Sequence, residues 1–152
     1  MEIERKYLID LNKIDLNQCK EKISIKQGYL LKEISKTIRI RITNNASFMT
    51  IKGETKGISR EEIEFIIPLE DAEKLLLFCG NDILEKTRYV FVINDKKWEI
   101  DFFHGNLEGL ILAEIELKNE EEQIDLPDFI LKEVSYDNRY YNSNLIERKF
   151  PF

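Results

Sequence analysis

Hydrophobic and polar residues alternate with a period of two along most of this chain, the pattern of strands whose two faces meet different surroundings. "MEIERKYLI" starts it, with Glu2, Glu4 and Lys6 on one face and Ile3, Arg5 and Tyr7 on the other. "SIKQGYLLKE" predicts a second strand. "KTIRIRITNNASFMTIKG" predicts a hairpin whose Asn44–Asn45 turn suits the left-handed conformation that Asn tolerates. "ISREEIEFIIPL" predicts a further strand closed by Pro68, and "EKTRYVFVINDKKWEIDFFHG" a second hairpin turning at Asn94–Asp95. "GLILAEIELK" is the last clear strand, for a total of about eight.

Helical spacing is rarer. "LEDAEKLLLFCG" has Leu69, Ala72, Leu75, Leu76 and Cys79 at helical intervals, acids in its first turn and Gly80 as a stop. "NKIDLNQCKEKI" fits a short amphipathic helix through Ile14, Leu16, Cys19 and Ile23. "LPDFILKEV" predicts another short helix, and "SNLIERKF" a terminal one capped by Ser143. No repeat, low-complexity tract or linker divides the chain, so its 152 residues predict one domain over 1–152.

Composition adds constraints. Charged residues make up 34% of the chain beside 43% hydrophobic, an excess of charge that needs a location. The formal net charge of −6 argues against non-specific binding to nucleic acid, although a local cationic pocket is compatible with it. The two cysteines, Cys19 and Cys79, sit in stretches that read as helix and suggest neither a disulfide framework nor a thiolate metal site. The N-terminus has no apolar signal region, and no apolar run approaches the ~20 residues of a membrane span. The expectation is a cytoplasmic protein.

The polar faces locate the charge. They read Glu2, Glu4, Lys6; Arg39, Arg41; Thr50, Lys52; Glu62, Glu64; Lys86, Arg88; Glu99, Asp101; and Glu114, Glu116. The opposite faces are apolar, with Ile38, Ile40 and Ile42, Met49 and Ile51, or Ala113, Ile115 and Leu117, and they need a cover that helices can supply. Solvent-exposed strand faces normally mix their charges, since neighbouring like charges repel and exposed ion pairs give only ~0 to 1 kcal/mol. Segregated charge makes sense where cationic and anionic strands confront each other across a cavity. Antiparallel strands in this number can close into such a barrel. A triphosphate with a divalent metal suits it, because Arg and Lys hold phosphate oxygens while Mg²⁺ takes one or two carboxylates plus substrate oxygens. His104, beside Gly105, reads as a turn residue, and Trp98 falls on the apolar side of its strand.

Taken in order, E-x-E-x-K (Glu2, Glu4, Lys6), R-x-R (Arg39, Arg41), T-x-K (Thr50, Lys52), E-x-E (Glu62, Glu64), E-K-T-R-Y (Lys86, Arg88), E-x-D (Glu99, Asp101) and a final E-x-E (Glu114, Glu116) closely resemble the CYTH superfamily, the triphosphate tunnel metalloenzymes. The closest resemblance is to small bacterial inorganic tripolyphosphatases. It implies a mainly β (α+β) fold, an eight-stranded antiparallel closed β-barrel with a few covering helices, whose tunnel binds a triphosphate with Mg²⁺ or Mn²⁺.

The resemblance also implies roles. Glu2, Glu4 and Glu116 would hold the metal, with Asp101, Glu114, Glu62 and Glu64 orienting water or a second ion. Lys6, Arg39, Arg41, Lys52 and Arg88 would grip the phosphates. Lys86, crowded by cations, would either help activate water or act as one more phosphate ligand. In "VSYDNRYYN", Asp137, Arg139 and Tyr140 match a family segment, with Ser135 where Thr is expected. Arg139 there either reaches the tunnel or forms a peripheral ion pair. "QGYL" also fits the family, with Tyr29 lining the lumen or lying in the core.

The expected activity is metal-dependent hydrolysis of inorganic tripolyphosphate to diphosphate and phosphate, with Lys86, Arg88, Glu62 and Glu64 nearest the chemistry. The alternatives are a nucleoside or thiamine triphosphatase, an adenylyl cyclase, or a non-catalytic polyphosphate- or nucleotide-binding module. The expected partner is a small anionic substrate, with neither nucleic acid nor membrane, and the uncovered apolar strand faces leave room for a homodimer.

Overall fold

Period-two alternation resolves into ten strands of one antiparallel sheet in the computed structural model, which describes residues 1–152. They are β1 (Glu2–Ile9), β2 (Glu21–Lys32), β3 (Lys36–Thr43), β4 (Ser47–Gly53), β5 (Ser59–Arg60), β6 (Glu62–Ile66), β7 (Ile83–Ile93), β8 (Lys96–Phe103), β9 (Ile111–Glu116) and β10 (Ile130–Glu133). Hydrogen bonding runs β1–β9–β8–β7–β2–β3–β4–β6. The ring is joined by β5, which runs straight into β6 and pairs with β1 through Glu2↔Arg60 and Ile3↔Ser59. The seam is short, and β10 takes over the same edge of β1 at Tyr7–Ile9. The result is a nearly closed antiparallel barrel.

Several predicted elements changed on folding. The strand expected from Ile58 to Leu69 breaks at Glu61 into β5 and β6, so that one piece can close the ring and the other pair with β4. "LPDFILKEV" contributes β10 where a helix was expected, because the half of β1 beyond the seam offers it an unpaired edge. The helix expected in "NKIDLNQCKEKI" is replaced by two single turns of 3₁₀ helix, Leu11–Lys13 and Leu16–Gln18. Asp10 and Asp15 each accept the backbone N–H two residues on at 3.0 Å, a local bond that competes with helix propagation.

The turns differ as well. Asn94 and Asp95 adopt φ of 51° and 61°, as a two-residue hairpin turn requires. Neither Asn44 nor Asn45 is left-handed; the Thr43 hydroxyl organises that turn, accepting the N–H groups of Asn45 at 3.2 Å and Ala46 at 3.1 Å. The terminal helix α2 spans only Asn142–Leu145, and Ser143 lies inside it without capping it.

Only one outer face is covered by a helix. α1 (Leu69–Phe78) lays Ala72 and Leu76, with Cys79 just beyond, on Ile40 and the partly buried Met49. The β1–β9–β8 face is covered instead by the connecting segments, with Ile14, Leu16, Ile124 and Phe129 packed against Tyr7, Trp98, Ile100 and Ile115. Trp98 is 1% exposed and meets Phe129 edge-on at 6.0 Å.

Gly28 sets how closely α1 can approach. A Cβ there would lie 2.8 Å from Cys79 Sγ and 3.0 Å from Leu76 Cδ2. Gly28→Val is therefore expected to destabilise the fold by about 2–3 kcal/mol, the usual cost of overpacking a tight contact, read as a lower urea midpoint at unchanged slope. An unchanged midpoint would mean that α1 is free to move away.

Candidate active site

Strand parity decides which side chains enter the barrel. The charged positions of β1, β3, β4, β6, β7, β8 and β9 share one sheet face, and this face lines a cavity of about 250 Å³ bounded by 23 residues, only 3 of them hydrophobic. Glu2, Glu4, Lys6, Arg39, Arg41, Lys52, Glu62, Glu64, Lys86, Arg88, Glu99, Glu114 and Glu116 all line it. Further along the same face of β1, β7, β8 and β9 the residues turn apolar. Leu8, Leu84, Phe103 and Leu112 pack with Leu107, Leu110, Val134, Tyr140 and Leu145, forming an apolar floor under that side of the charged layer.

Cations and anions meet within the cavity, both between neighbouring strands and across the seam. Lys52 binds both oxygens of Glu2 at 2.8 and 3.0 Å and approaches Glu62 at 3.7 Å. Lys6 lies 3.6 Å from Glu114 and 4.0 Å from Glu4. Arg39 donates to Thr50 at 3.1 Å, and Thr50 in turn donates to Glu64 at 2.7 Å. Arg88 grips Asp101 through two nitrogens at 2.7 and 2.9 Å and reaches Glu99 at 2.9 Å.

Two arginines are less well satisfied. Arg41 makes no ion pair; its Nε donates to the fully buried Gln27 at 2.9 Å, and the Gln27 amide donates to Tyr29 at 3.1 Å. The Nε of Arg39 is buried without a partner. Guanidinium groups left this way favour an incoming anion.

Proton affinities are displaced throughout. Burial, followed by the charge of Glu114, pushes Glu4 up to about 8. Burial also pushes Glu62 up to about 7, aided by its hydrogen bond with Glu2, whereas Lys52 overcomes burial to bring Glu2 down to about 2. Lys86 falls to about 7, because burial and the charges of Arg88 and Arg41 outweigh the pull of Asp101. Burial and the nearby Arg39 and Arg88 lower Arg41 to about 9. Asp101 is held well below the usual carboxylate range, since Arg88 and Lys86 more than offset its burial.

Two expected positions fall elsewhere. Asp101 is fully buried behind the cavity wall, and its oxygens are taken by Lys86 at 2.7 Å and by Arg88. Arg139 does not reach the cavity; it closes on Asp137 at 2.6 Å and lies over the rings of Tyr140 and Phe152. Tyr29 does line the cavity. His104 shares a hydrogen bond with Thr87 at 2.7 Å at a strand end.

The lining also includes residues that the strand patterns had not singled out. Thr37 and Arg60 follow the parity of Arg39 and Glu62 and were findable by extending it. Ser135, Tyr141, Asn142 and Ser143 come from the C-terminal segment, where no periodicity marks them.

The carboxylates suit a divalent ion that binds together with its substrate. No three acids close into a preformed cage. Glu4 and Glu116 oppose each other across β1 and β9, and Glu114 is the next residue of β9 on that face. Burial and the charge of Glu114 favour the protonated form of Glu4, and a bound cation would reverse that preference. That is the behaviour of a Mg²⁺-type site, which uses one or two carboxylates and fills the remaining positions with water and phosphate oxygens. Glu2 stands beside this group but is committed to Lys52.

The CYTH domain family matches residues 1–148. An inorganic triphosphatase of Acetivibrio thermocellus is 37% identical over 150 residues, covering 98% of this chain and 95% of its own length. An inorganic triphosphatase of Nitrosomonas europaea is 34% identical over 154 residues, with 95% of each chain covered. The crystal structure of the inorganic triphosphatase NE1496 superposes with a TM-score of 0.69 at 31% identity, covering 96% of this chain and 94% of that one.

Glu4 gives the metal-free protein a pH signature. The folded chain holds this proton up to about pH 8 whereas an ordinary value is 4.5, so between these limits the folded state binds more protons and loses stability as pH rises. Lys86 acts in the opposite sense from about 7 up to its ordinary 10.5. In chelator, Glu4→Gln should melt within a few degrees of the wild type at about pH 5 and on the order of 10 °C above it at about pH 8.5. Parallel melting curves at both pH values would rule out a raised Glu4.

Proposed function

Because the chain belongs to the CYTH domain family, we propose that it is a metal-dependent triphosphatase that hydrolyses inorganic tripolyphosphate to diphosphate and phosphate inside the charged cavity. One observation carries the substrate class: Arg41 has no carboxylate partner and Arg39 has a buried, unpartnered Nε, so cationic hydrogen-bonding capacity is left over in an otherwise paired lining. A polyphosphate chain supplies oxygens at the density that this surplus needs. The near absence of apolar lining favours the inorganic chain over a nucleoside, whose base would need a platform, and Tyr141 already lies over Lys6 at 5.7 Å.

Lys6, Arg39, Arg41, Lys52 and Arg88 grip the phosphates in this reading, Glu64 and Glu62 keep Arg39 and Lys52 aligned, and Glu4, Glu114 and Glu116 hold the metal with Glu2 nearby. Bound Mg²⁺ or Mn²⁺ would offset the charge that accumulates on the departing diphosphate. Lys86, neutral in part near pH 7, takes a proton from the water attacking the terminal phosphorus; a P–O bond to water forms as the bond to diphosphate breaks. Positioning and charge neutralisation supply most of the acceleration in such transfers. The whole of 1–152 is taken as one catalytic unit working in the cytoplasm; no helix is long and apolar enough to cross a membrane.

The decisive measurement is phosphate release from tripolyphosphate, ATP and thiamine triphosphate with Mg²⁺ and with Mn²⁺. Tripolyphosphate should exceed ATP at least about tenfold in kcat/KM; equal or better use of ATP would reject the inorganic substrate, and cyclic AMP as product would reject hydrolysis.

Arg41→Ala should raise KM for tripolyphosphate about tenfold or more without lowering the melting temperature, since it relieves crowding among like charges. Tripolyphosphate with Mg²⁺ at about a hundred times its Kd should stabilise the wild type by about 2.7 kcal/mol, a rise of several degrees. A flat melting temperature would mean that the cavity does not take this ligand.

A further inference from the structure

Lys86 is the most enclosed cation of the site, 1% exposed, and its amine is fixed from two sides. Asp101 Oδ2 accepts at 2.7 Å and Asn142 Oδ1 at 2.8 Å. The Phe103 ring lies 5.4 Å from the nitrogen. Two of the three N–H directions of an ammonium are thus used on acceptors, and the third remains for the cavity that Lys86 lines.

Asn142 is itself held firmly. The buried Tyr140 and the fully buried Leu145 anchor its segment in the apolar floor, and Asn144 Nδ2 donates to Asn138 O at 2.8 Å across the preceding turn. The same segment presents Tyr140 O to Lys6 Nζ at 3.3 Å. An amide oxygen pins an amine without adding a second negative charge beside Asp101, so it fixes direction while leaving Lys86 weakly basic.

Resting on the triphosphatase reading above, we propose that Asn142 is a positioning residue of the reaction: its side-chain oxygen, together with Asp101, aims the Lys86 amine at the attacking water. Asn142 touches neither substrate nor metal in this role and acts through Lys86 alone. Its loss therefore falls on turnover, whereas phosphate binding by Arg39, Arg41 and Lys52 is unaffected.

The test compares wild type, Asn142→Ala and Asn142→Asp on tripolyphosphate, each at its own pH optimum. Asn142→Ala should lower kcat about tenfold with KM within about twofold, and Asn142→Asp, which keeps an oxygen in place but adds a charge that raises the proton affinity of Lys86, should hold kcat within about threefold of wild type at a pH optimum moved upward. The melting temperatures should stay within a few degrees. A second readout needs no activity: ¹⁵N-lysine NMR should show a protected Lys86 amine signal, identified by its loss in Lys86→Arg, which broadens in Asn142→Ala and returns in Asn142→Asp. Wild-type kcat in Asn142→Ala, a loss expressed mainly in KM, failure of Asn142→Asp to restore turnover, or an unaltered Lys86 signal would each overturn the role. If the wild type turns over no tripolyphosphate, the substrate reading fails and the NMR series alone decides whether Asn142 orients Lys86.

Discussion

Confinement of segregated charge within a narrow barrel is the constraint on which the rest depends. A strand that places two acids or two bases on one face cannot bury that face unless strands of opposite charge meet it, because an unpaired buried ion costs several kcal/mol. β7 and β8 show the solution: Lys86 and Arg88 on one strand enclose Asp101 on the next, and Glu99 takes the outer nitrogen of Arg88. Lys52 between Glu2 and Glu62 repeats it at the seam where β5 closes the ring. The pairing that joins the strands is also what keeps the site assembled.

The pairing is incomplete, and the remainder is where the proposed chemistry would act. Had every cation found a carboxylate, the cavity would be a neutral polar core with no affinity for a polyanion. Arg41 rests on the neutral Gln27, Arg39 has an orphaned nitrogen, and Glu4 shares its corner with Glu114 and Glu116 and retains a proton. A guanidinium without a carboxylate on one wall and crowded acids that share Lys6 on another would, in the proposed reading, meet the two halves of a metal–triphosphate complex. The apolar floor of Phe103, Leu112, Tyr140 and Leu145 supports this arrangement by excluding water from beneath Lys86.

Much of this was legible in the chain, and the reason is geometric. In a strand, side-chain direction follows from position parity alone, so Glu2, Glu4 and Lys6 could be assigned to one face before any contact was known, and so could the charged pairs of the other strands. The same logic, carried two residues further, reaches Thr37 and Arg60. It fails for Asn142 and Tyr141, which enter the site from the start of the one-turn helix α2, where direction is set by packing and not by strand period. It also fails for Asp101: parity put its side chain inward, but depth decided that it lies behind Lys86 and Arg88.

The sequence by itself determined the strand periodicity, the helix over Leu69–Phe78, the Asn94–Asp95 turn and the identity of nearly all the lining charges, because each is a local property of backbone geometry. Only the tertiary structure decided which charges would be spent on one another and which left free, since that depends on register and depth across strands far apart in the chain. It also turned "LPDFILKEV" into a strand, where an open edge of β1 outweighed local propensity, and sent Arg139 to Asp137 instead of the cavity. Long-range pairing sets these outcomes because the free energy of a hydrogen bond or an ion pair depends on the partner and on the burial it meets, and neither is written in the neighbouring residues.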